Sequence, residues 1–277
     1  GFIVMVSHPG PWQQLRRSPG GVAGLRDRFP QTYESLPDTP APFDVSSSHP
    51  SLNRRKYIYA CNDFPTDGVA ITGSDFWREG VAGSGSGTAI MTAEQNGAVQ
   101  LSGGTSLDGY TYIIYGQNNA PGFSAARYLH MEGRIVITNA IGIAAQDHAF
   151  HIGFADDWTV ANPNNMICFR QTADGNWFAV TRTGGGTPTT TNLGLAPVLN
   201  TWYLWYIDVD TRGGRVHFVV KTSAFNPVPV ADVVITATIP TASLNGGLRS
   251  YNTAAQTTSK DLSIDYMELW QYRWDVP

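Results

Sequence analysis

The residues best suited to chemistry lie near the C-terminus, in Asp261-Leu-Ser-Ile-Asp-Tyr-Met-Glu-Leu-Trp-Gln-Tyr272. Cleaving a glycosidic bond needs two carboxyls, one protonated to assist the leaving group and one ionised as nucleophile or base. They stand about 5–5.5 Å apart for retention or about 6.5–9.5 Å for inversion. Asp265 and Glu268 supply two acids here, and Trp270 follows them. The apolar residues decide how these acids point. Leu262 and Ile264 share one parity while Met267 and Leu269 share the other, so a β-bulge near Asp265-Tyr266 is needed to return both pairs to one buried face. That bulge also aims Asp265 and Glu268 to the same outer side, where a hydrogen-bonded surface pair is the alternative to a catalytic one.

The loop Asp156-Asp-Trp-Thr-Val-Ala-Asn-Pro-Asn-Asn165 is a second candidate, because Asp156, Asp157 and Asn162 offer hard oxygen ligands to calcium. It lacks the spacing of a calcium motif, and Asp and Asn are also turn residues, so no metal or other cofactor is expected. His148 and His151 take opposite faces of a regular strand and make no joint site. No Ser-His-Asp elbow, Cys-His signature or phosphate loop is present. Cys61 and Cys168 have neither zinc nor disulfide-framework spacing and read as packing residues.

The elements that must hold these residues are strands. Charged residues are only 14% of the 277, Gly (29) and Pro (17) are abundant, and aromatics reach 12%, a balance that suits short strands joined by turns. Turn signals recur from about residue 63 onward, at Gly83-Ser-Gly-Ser-Gly87, Asn96-Gly97, Asp108-Gly109, Asp174-Gly175, Gly184-Gly-Gly186, Gly213-Gly214 and Asn245-Gly-Gly247. The runs between them predict ten or more strands and no helix of useful length: an all-β, two-sheet antiparallel sandwich over 63–277. In Trp202-Tyr-Leu-Trp-Tyr-Ile-Asp-Val209, alternation puts Tyr203, Trp205, Ile207 and Val209 on one face. Val216, Phe218 and Val220 pair with them after the Gly213-Gly214 turn. The other face, with Trp202, Leu204, Tyr206, Arg215 and His217, is too apolar to be simply solvated. Trp202, Tyr206, Asp265, Glu268 and Trp270 are therefore grouped as a ligand-binding or subunit-contacting face.

Residues 1–62 differ in kind. They hold eight of the 17 prolines and no sustained period, so they cannot build a core of their own. They carry seven Lys/Arg against four acids, so +3, which leaves 11 against 18, or −7, for the remainder. They also carry large apolar groups. The reading is an extended, basic, proline-rich arm that lies along a surface, its own or a neighbour's. Its partner-binding residues are expected to be Trp12, Arg16, Arg17, Arg26, Arg28, Phe29, Tyr33, Arg54, Arg55 and Lys56. The overall charge of −4 gives no field for nucleic acid, and no stretch is long and apolar enough to span a membrane as a helix.

Asp174-Gly-Asn-Trp-Phe-Ala-Val180, then the tWY strand and its Gly-turn hairpin, then the closing "IDYMELWQ" strand together resemble the concanavalin A-like jelly roll, the lectin/glucanase sandwich, over roughly residues 70–274. In the glucanases of that fold a Glu-x-Asp-x-x-Glu run supplies the acids. The matching positions here are Ser263, Asp265 and Glu268, so the residue at the nucleophile position is not an acid. The turn-rich texture and the arm are similar to virion proteins of tailed bacteriophages. The resemblance implies a non-enzymatic structural virion protein, a capsid decoration or cement protein assembled in a host cytoplasm, whose arm clasps other virion proteins and copies of itself. The alternatives are a carbohydrate-binding lectin-like module or tail adhesin with glycans as partners, and a polysaccharide hydrolase or lyase.

Overall fold

The computed structural model describes residues 57–62, 77–91, 98–117, 120–138, 148–171, 175–196, 198–210, 214–222, 228–255, 257–259 and 261–272. The expected arm residues from Trp12 to Lys56 lie outside them. The strands are β1 (Tyr57–Asn62), β2 (Trp77–Ala82), β3 (Ser86–Met91), β4 (Ala98–Gly103), β5 (Tyr110–Gln117), β6 (Ala120–Pro121), β7 (Phe123–Ser124), β8 (Leu129–Ile137), β9 (His148–Ala155), β10 (Met166–Gln171), β11 (Trp177–Arg182), β12 (Thr189–Asn192), β13 (Tyr203–Asp210), β14 (Arg215–Lys221), β15 (Ala231–Ile235), β16 (Ser243–Asn252) and β17 (Asp261–Tyr272). They form two antiparallel sheets. One has eight strands in the order β15-β14-β13-β8-β17-β4-β3, with β1 also paired to β17; the other has nine in the order β12-β11-β10-β9-β16-β5-β2, with β6 on β5 and β7 on β16. Among the described residues no helix is long and apolar enough to cross a membrane. The fold is an all-β jelly-roll sandwich, as expected.

The core fills the space between the sheets. Tyr203, Trp205, Ile207 and Val209 point into it together with Val216, Phe218 and Val220, and the hairpin register pairs Trp205 with Val220 and Ile207 with Phe218. Phe169 of the nine-stranded sheet meets Trp205 at 4.8 Å and Phe218 at 5.1 Å between ring centroids, both edge-on, and Trp177 meets Trp205 at 4.6 Å. Such pairs add about 0.5–1.5 kcal/mol each beyond the area they bury. Cys168 is a free, buried thiol whose pKa is pushed up to about 12 by burial, which makes it inert packing.

The expected bulge is present: the register of β17 on β8 shifts between Ile264 and Tyr266. Leu262, Ile264, Met267 and Leu269 are all fully buried in the core as a result. β17 is also shared along one edge. Its first half pairs with β4 and its second half with β1, from Tyr57 opposite Tyr272 to Asn62 opposite Met267. The segment Tyr57–Asn62, which the sequence reading included in the arm, is thus an edge strand of the sandwich.

One turn reading is corrected. Asn245-Gly-Gly247 lies inside β16, a central strand of the nine-stranded sheet. Its glycines answer to close packing rather than to chain reversal. A Cβ on Gly246 would sit 2.6 Å from Leu269 Cδ1 across the core, and one on Gly247 would sit 2.3 Å from the Ile113 carbonyl oxygen. β15 stops at Ile235, and Thr238 beyond it takes φ +49°.

Candidate functional site

The outer face of the nine-stranded sheet carries an arrangement that sequence reasoning missed. Tyr110 and Tyr112 of β5 stack at 5.8 Å with planes 13° apart, and Tyr110 stacks on Tyr251 of β16 at 6.3 Å and 5°. The register explains this. Tyr110 lies opposite Tyr251 and Tyr112 opposite Arg249, so residues of one parity on two neighbouring strands share a face. Gly80 of β2 lies opposite Tyr112, and a Cβ there would stand 2.1 Å from Tyr112 Cζ, so only glycine leaves room for this ring. Tyr251 donates its hydroxyl to Asp108 Oδ1 at 2.8 Å. Asp108 itself holds φ +58° in the expected Asp-Gly turn, and its amide donates to the Asn252 carbonyl.

The wall beside this tyrosine ladder is the loop 156–165, which crosses the same face. Arg249 is fully buried beneath it and donates through Nη1 to the carbonyls of Trp158 (2.9 Å) and Val160, and through Nη2 to that of Ala161 (3.4 Å). Nη2 also donates to His151 Nδ1 at 2.7 Å, which makes Nδ1 the acceptor and leaves the ring proton on Nε2. The guanidinium lies 4.8 Å from the Tyr251 ring centroid, a cation–π contact. Burial pushes the Arg249 pKa down to about 10, so it remains charged at neutral pH. Burial first, then the charges of Arg249 and Arg170, hold His151 well below the usual histidine value, so it is neutral. Burial, then Tyr110 and Asp157, raise the Tyr112 hydroxyl pKa against the opposing pull of Arg78.

The oxygens once considered for calcium are engaged in shaping the loop. Asp156 Oδ2 accepts from the amide and the side-chain nitrogen of Asn165, at 3.1 and 2.8 Å. Asp157 Oδ1 accepts from the amide and hydroxyl of Thr159, at 2.8 and 2.7 Å, and Asn162 Oδ1 accepts from Arg170 at 2.9 Å. Among the described residues no group of three or more His, Cys, Asp or Glu is placed to hold a metal. The cation that organises the loop is a guanidinium.

The five residues grouped from the sequence as a ligand or subunit face lie elsewhere: Tyr206, Asp265, Glu268 and Trp270 on the eight-stranded sheet and Trp202 just before its β13. Asp265 and Glu268 both turn outward, as the bulge requires, but they enter different pairings. Asp265 Oδ2 accepts from Arg134 at 2.7 Å, and the same guanidinium lies 4.6 Å from the Trp202 ring centroid. Glu268 stands directly opposite Glu132 of β8, a carboxylate that the reading had not considered, and Tyr266 donates its hydroxyl to Glu132. Trp270 stacks on His130 at 5.2 Å, His130 Nδ1 bonds Asp208 at 2.7 Å, and Lys221 lies 5.4 Å from the Tyr206 ring centroid. Glu132, Glu268 and Trp270 are each only 3% exposed.

Residues 94–265 match a family described as "SO2946-like, C-terminal domain". The chain belongs to this SO2946-like family. Among solved structures, a protein of unknown function, SO2946 from Shewanella oneidensis MR-1, superposes with a TM-score of 0.61 at 16% identity, over 86% of this chain and 100% of that one. The calcium-bound exoplasmic/lumenal domain of VIP36 gives 0.50 at 12% identity over 78% of this chain and 91% of that one. A seed lectin from Lotus tetragonolobus gives 0.50 at 9% identity over 79% and 100%. No curated protein matches the sequence. At these identities the likeness shows the fold, a concanavalin A-like sandwich. The SO2946-like match begins just before β4 and takes in the tyrosine ladder, Arg249 and the loop over it.

Proposed function

We propose that this SO2946-like chain is a lectin-like carbohydrate-binding module that works without catalysis and whose binding face is the tyrosine ladder of the nine-stranded sheet. The observation that carries the reading is the set of nearly parallel rings of Tyr110, Tyr112 and Tyr251, bordered by Arg249, Asp108 and the 156–165 loop. Sugars present C–H faces and hydroxyls together, and aromatic rings with polar tips, set among a few fixed polar groups, complement both. The lectin-like neighbours support this choice over other uses of the sandwich, which hosts many functions. A non-catalytic role agrees with the acids around the ladder, each of which is bonded to a loop or ring donor. The virion setting expected from the arm receives no support from these neighbours.

The test is a glycan array read with and without calcium. The expectation is binding to a defined set of glycans that does not require calcium and weakens at least about tenfold in Tyr112→Ala. Binding to no glycan in either condition would remove the proposal.

A further inference from the structure

The turn 103–109, which leads into the tyrosine ladder, is tied to a single residue of β16. Asn252 is fully buried, and its Nδ2 donates to the carbonyls of Gly103, Gly104 and Ser106 at 2.9, 3.0 and 3.1 Å. Its backbone closes the turn as well: the Asn252 amide donates to the Gly109 carbonyl at 2.8 Å, and its carbonyl accepts from the Asp108 amide at 3.1 Å. Asp108 is thereby fixed at the end of the ladder. Tyr251 holds its Oδ1 at 2.8 Å, the residue is exposed, and among the described residues none donates to Oδ2. A fixed ring and an open oxygen lie side by side. A carboxylate accepts hydrogen bonds and donates none. Beside an aromatic face it suits a ligand that turns C–H groups to the ring and a hydroxyl to the oxygen.

From this geometry we infer that Asp108 is the residue by which the ladder recognises hydroxyls of its ligand, and that the ladder takes uncharged glycans in preference to carboxylated ones. Tyr251 and Asn252 act as positioning residues for that carboxylate. The inference rests on the ladder being the binding face. The other charged groups near the rings agree with it. Asp157 and Arg78 act on the Tyr112 hydroxyl in opposite senses, so that end of the ladder carries both signs. Arg249 lies against the Tyr251 ring but is fully buried, and its two terminal nitrogens already donate to His151 and to loop carbonyls. An anionic group arriving beside Asp108 meets a like charge, with the Arg249 guanidinium sealed below, and such a juxtaposition lowers affinity. A hydroxyl arriving there meets an acceptor held in place by the fold.

Matched oligosaccharides test the inference: neutral gluco-, manno- and galacto-oligosaccharides, and the same chains oxidised so that a carboxylate replaces each CH2OH. Binding to the full chain is measured by titration calorimetry at low salt. The chain is expected to bind at least one neutral probe, and its oxidised counterpart at least about tenfold more weakly. Asp108→Asn keeps the shape and an oxygen for Tyr251 but turns the open acceptor into an amide donor. It is expected to weaken the neutral probe about tenfold and to bring the neutral-to-oxidised ratio down to about one, with the unfolding midpoint unchanged. Tyr251→Phe keeps the ring and releases the carboxylate; it is expected to weaken the neutral probe about threefold while the preference for it remains. A ratio left untouched by Asp108→Asn, or an unsubstituted chain that binds the oxidised probe as tightly as the neutral one, would overturn this inference and leave the ladder standing as a glycan site. Binding of neither kind, here and on the array, would remove both.

Discussion

Each outer face of the sandwich buries one histidine, and the two are held in opposite directions. His130, on the eight-stranded sheet, has Asp208 at 2.7 Å with Glu132 and Glu268 beyond it. Burial opposes its charge most strongly, yet those three carboxylates together raise its pKa above the usual value. His151, on the nine-stranded sheet, accepts from Arg249 and lies near Arg170, so burial and charge act together to keep it neutral. The same side chain, equally buried, is pushed toward its charged form on one face and held neutral as an acceptor on the other. One face is an acidic layer organised around a histidine; the other is a carbonyl-lined layer organised around a guanidinium.

The largest effect should come from the guanidinium. Arg249→Leu leaves the carbonyls of Trp158, Val160 and Ala161 without their donor, and the unfolding free energy should fall by about 3–5 kcal/mol in a denaturant titration. A loss below about 1 kcal/mol would mean that the loop 156–165 stands without it. A change placed between the faces comes next. Gly246→Ala pushes a methyl toward Leu269 and should cost about 1–3 kcal/mol while leaving the histidines on both faces in their present states, as read by NMR titration.

The two histidines themselves should split by pH. His130 has a raised folded pKa, so its contribution is complete below about pH 6.5 and is lost as pH rises through the raised value. His151 has a depressed one, so the stability tied to its neutral form is present above about pH 6.5 and is lost as pH falls below it. Thermal unfolding followed across this range should therefore show the alkaline decline disappear in His130→Gln, with the acid decline kept. If both limbs survive in that variant, the alkaline decline does not come from His130. The smallest effect is expected at Arg134→Ala, whose side chain is 39% exposed in its pair with Asp265; a cost under about 1 kcal/mol, further reduced by salt, would be normal for such a pair.

What could be read from the sequence was whatever depends on alternation within one strand. The inward set of β13 and β14 and the bulge in β17 follow from counting parity, and the structure has both. What could not be read depends on which strand lies beside which. Glu132 shares no local pattern with Glu268, and only the β8–β17 register sets them opposite. Tyr110 and Tyr251 likewise sit 141 positions apart until β5 meets β16. Gly246 and Gly247 read as a turn because a glycine pair carries no mark of whether it bends a chain or admits a neighbour. The loop 156–165 was ambiguous for a related reason: Asp and Asn in a loop look alike whether they await a metal or cap their own backbone. The alternating Tyr110, Tyr112 and Ile114 beside Gly80 was the one available signal of the ladder.

The shared edge of β17 has a consequence for how the sheet closes. This strand lies between β8 on one side and β4 followed by β1 on the other, so it joins the two halves of the eight-stranded sheet, and it follows all the other strands of that sheet in sequence. Until it pairs on both edges, β1, β3 and β4 have no connection to β8 within that sheet. Closing the sheet therefore waits on contacts between residues far apart along the chain, the kind that form slowly.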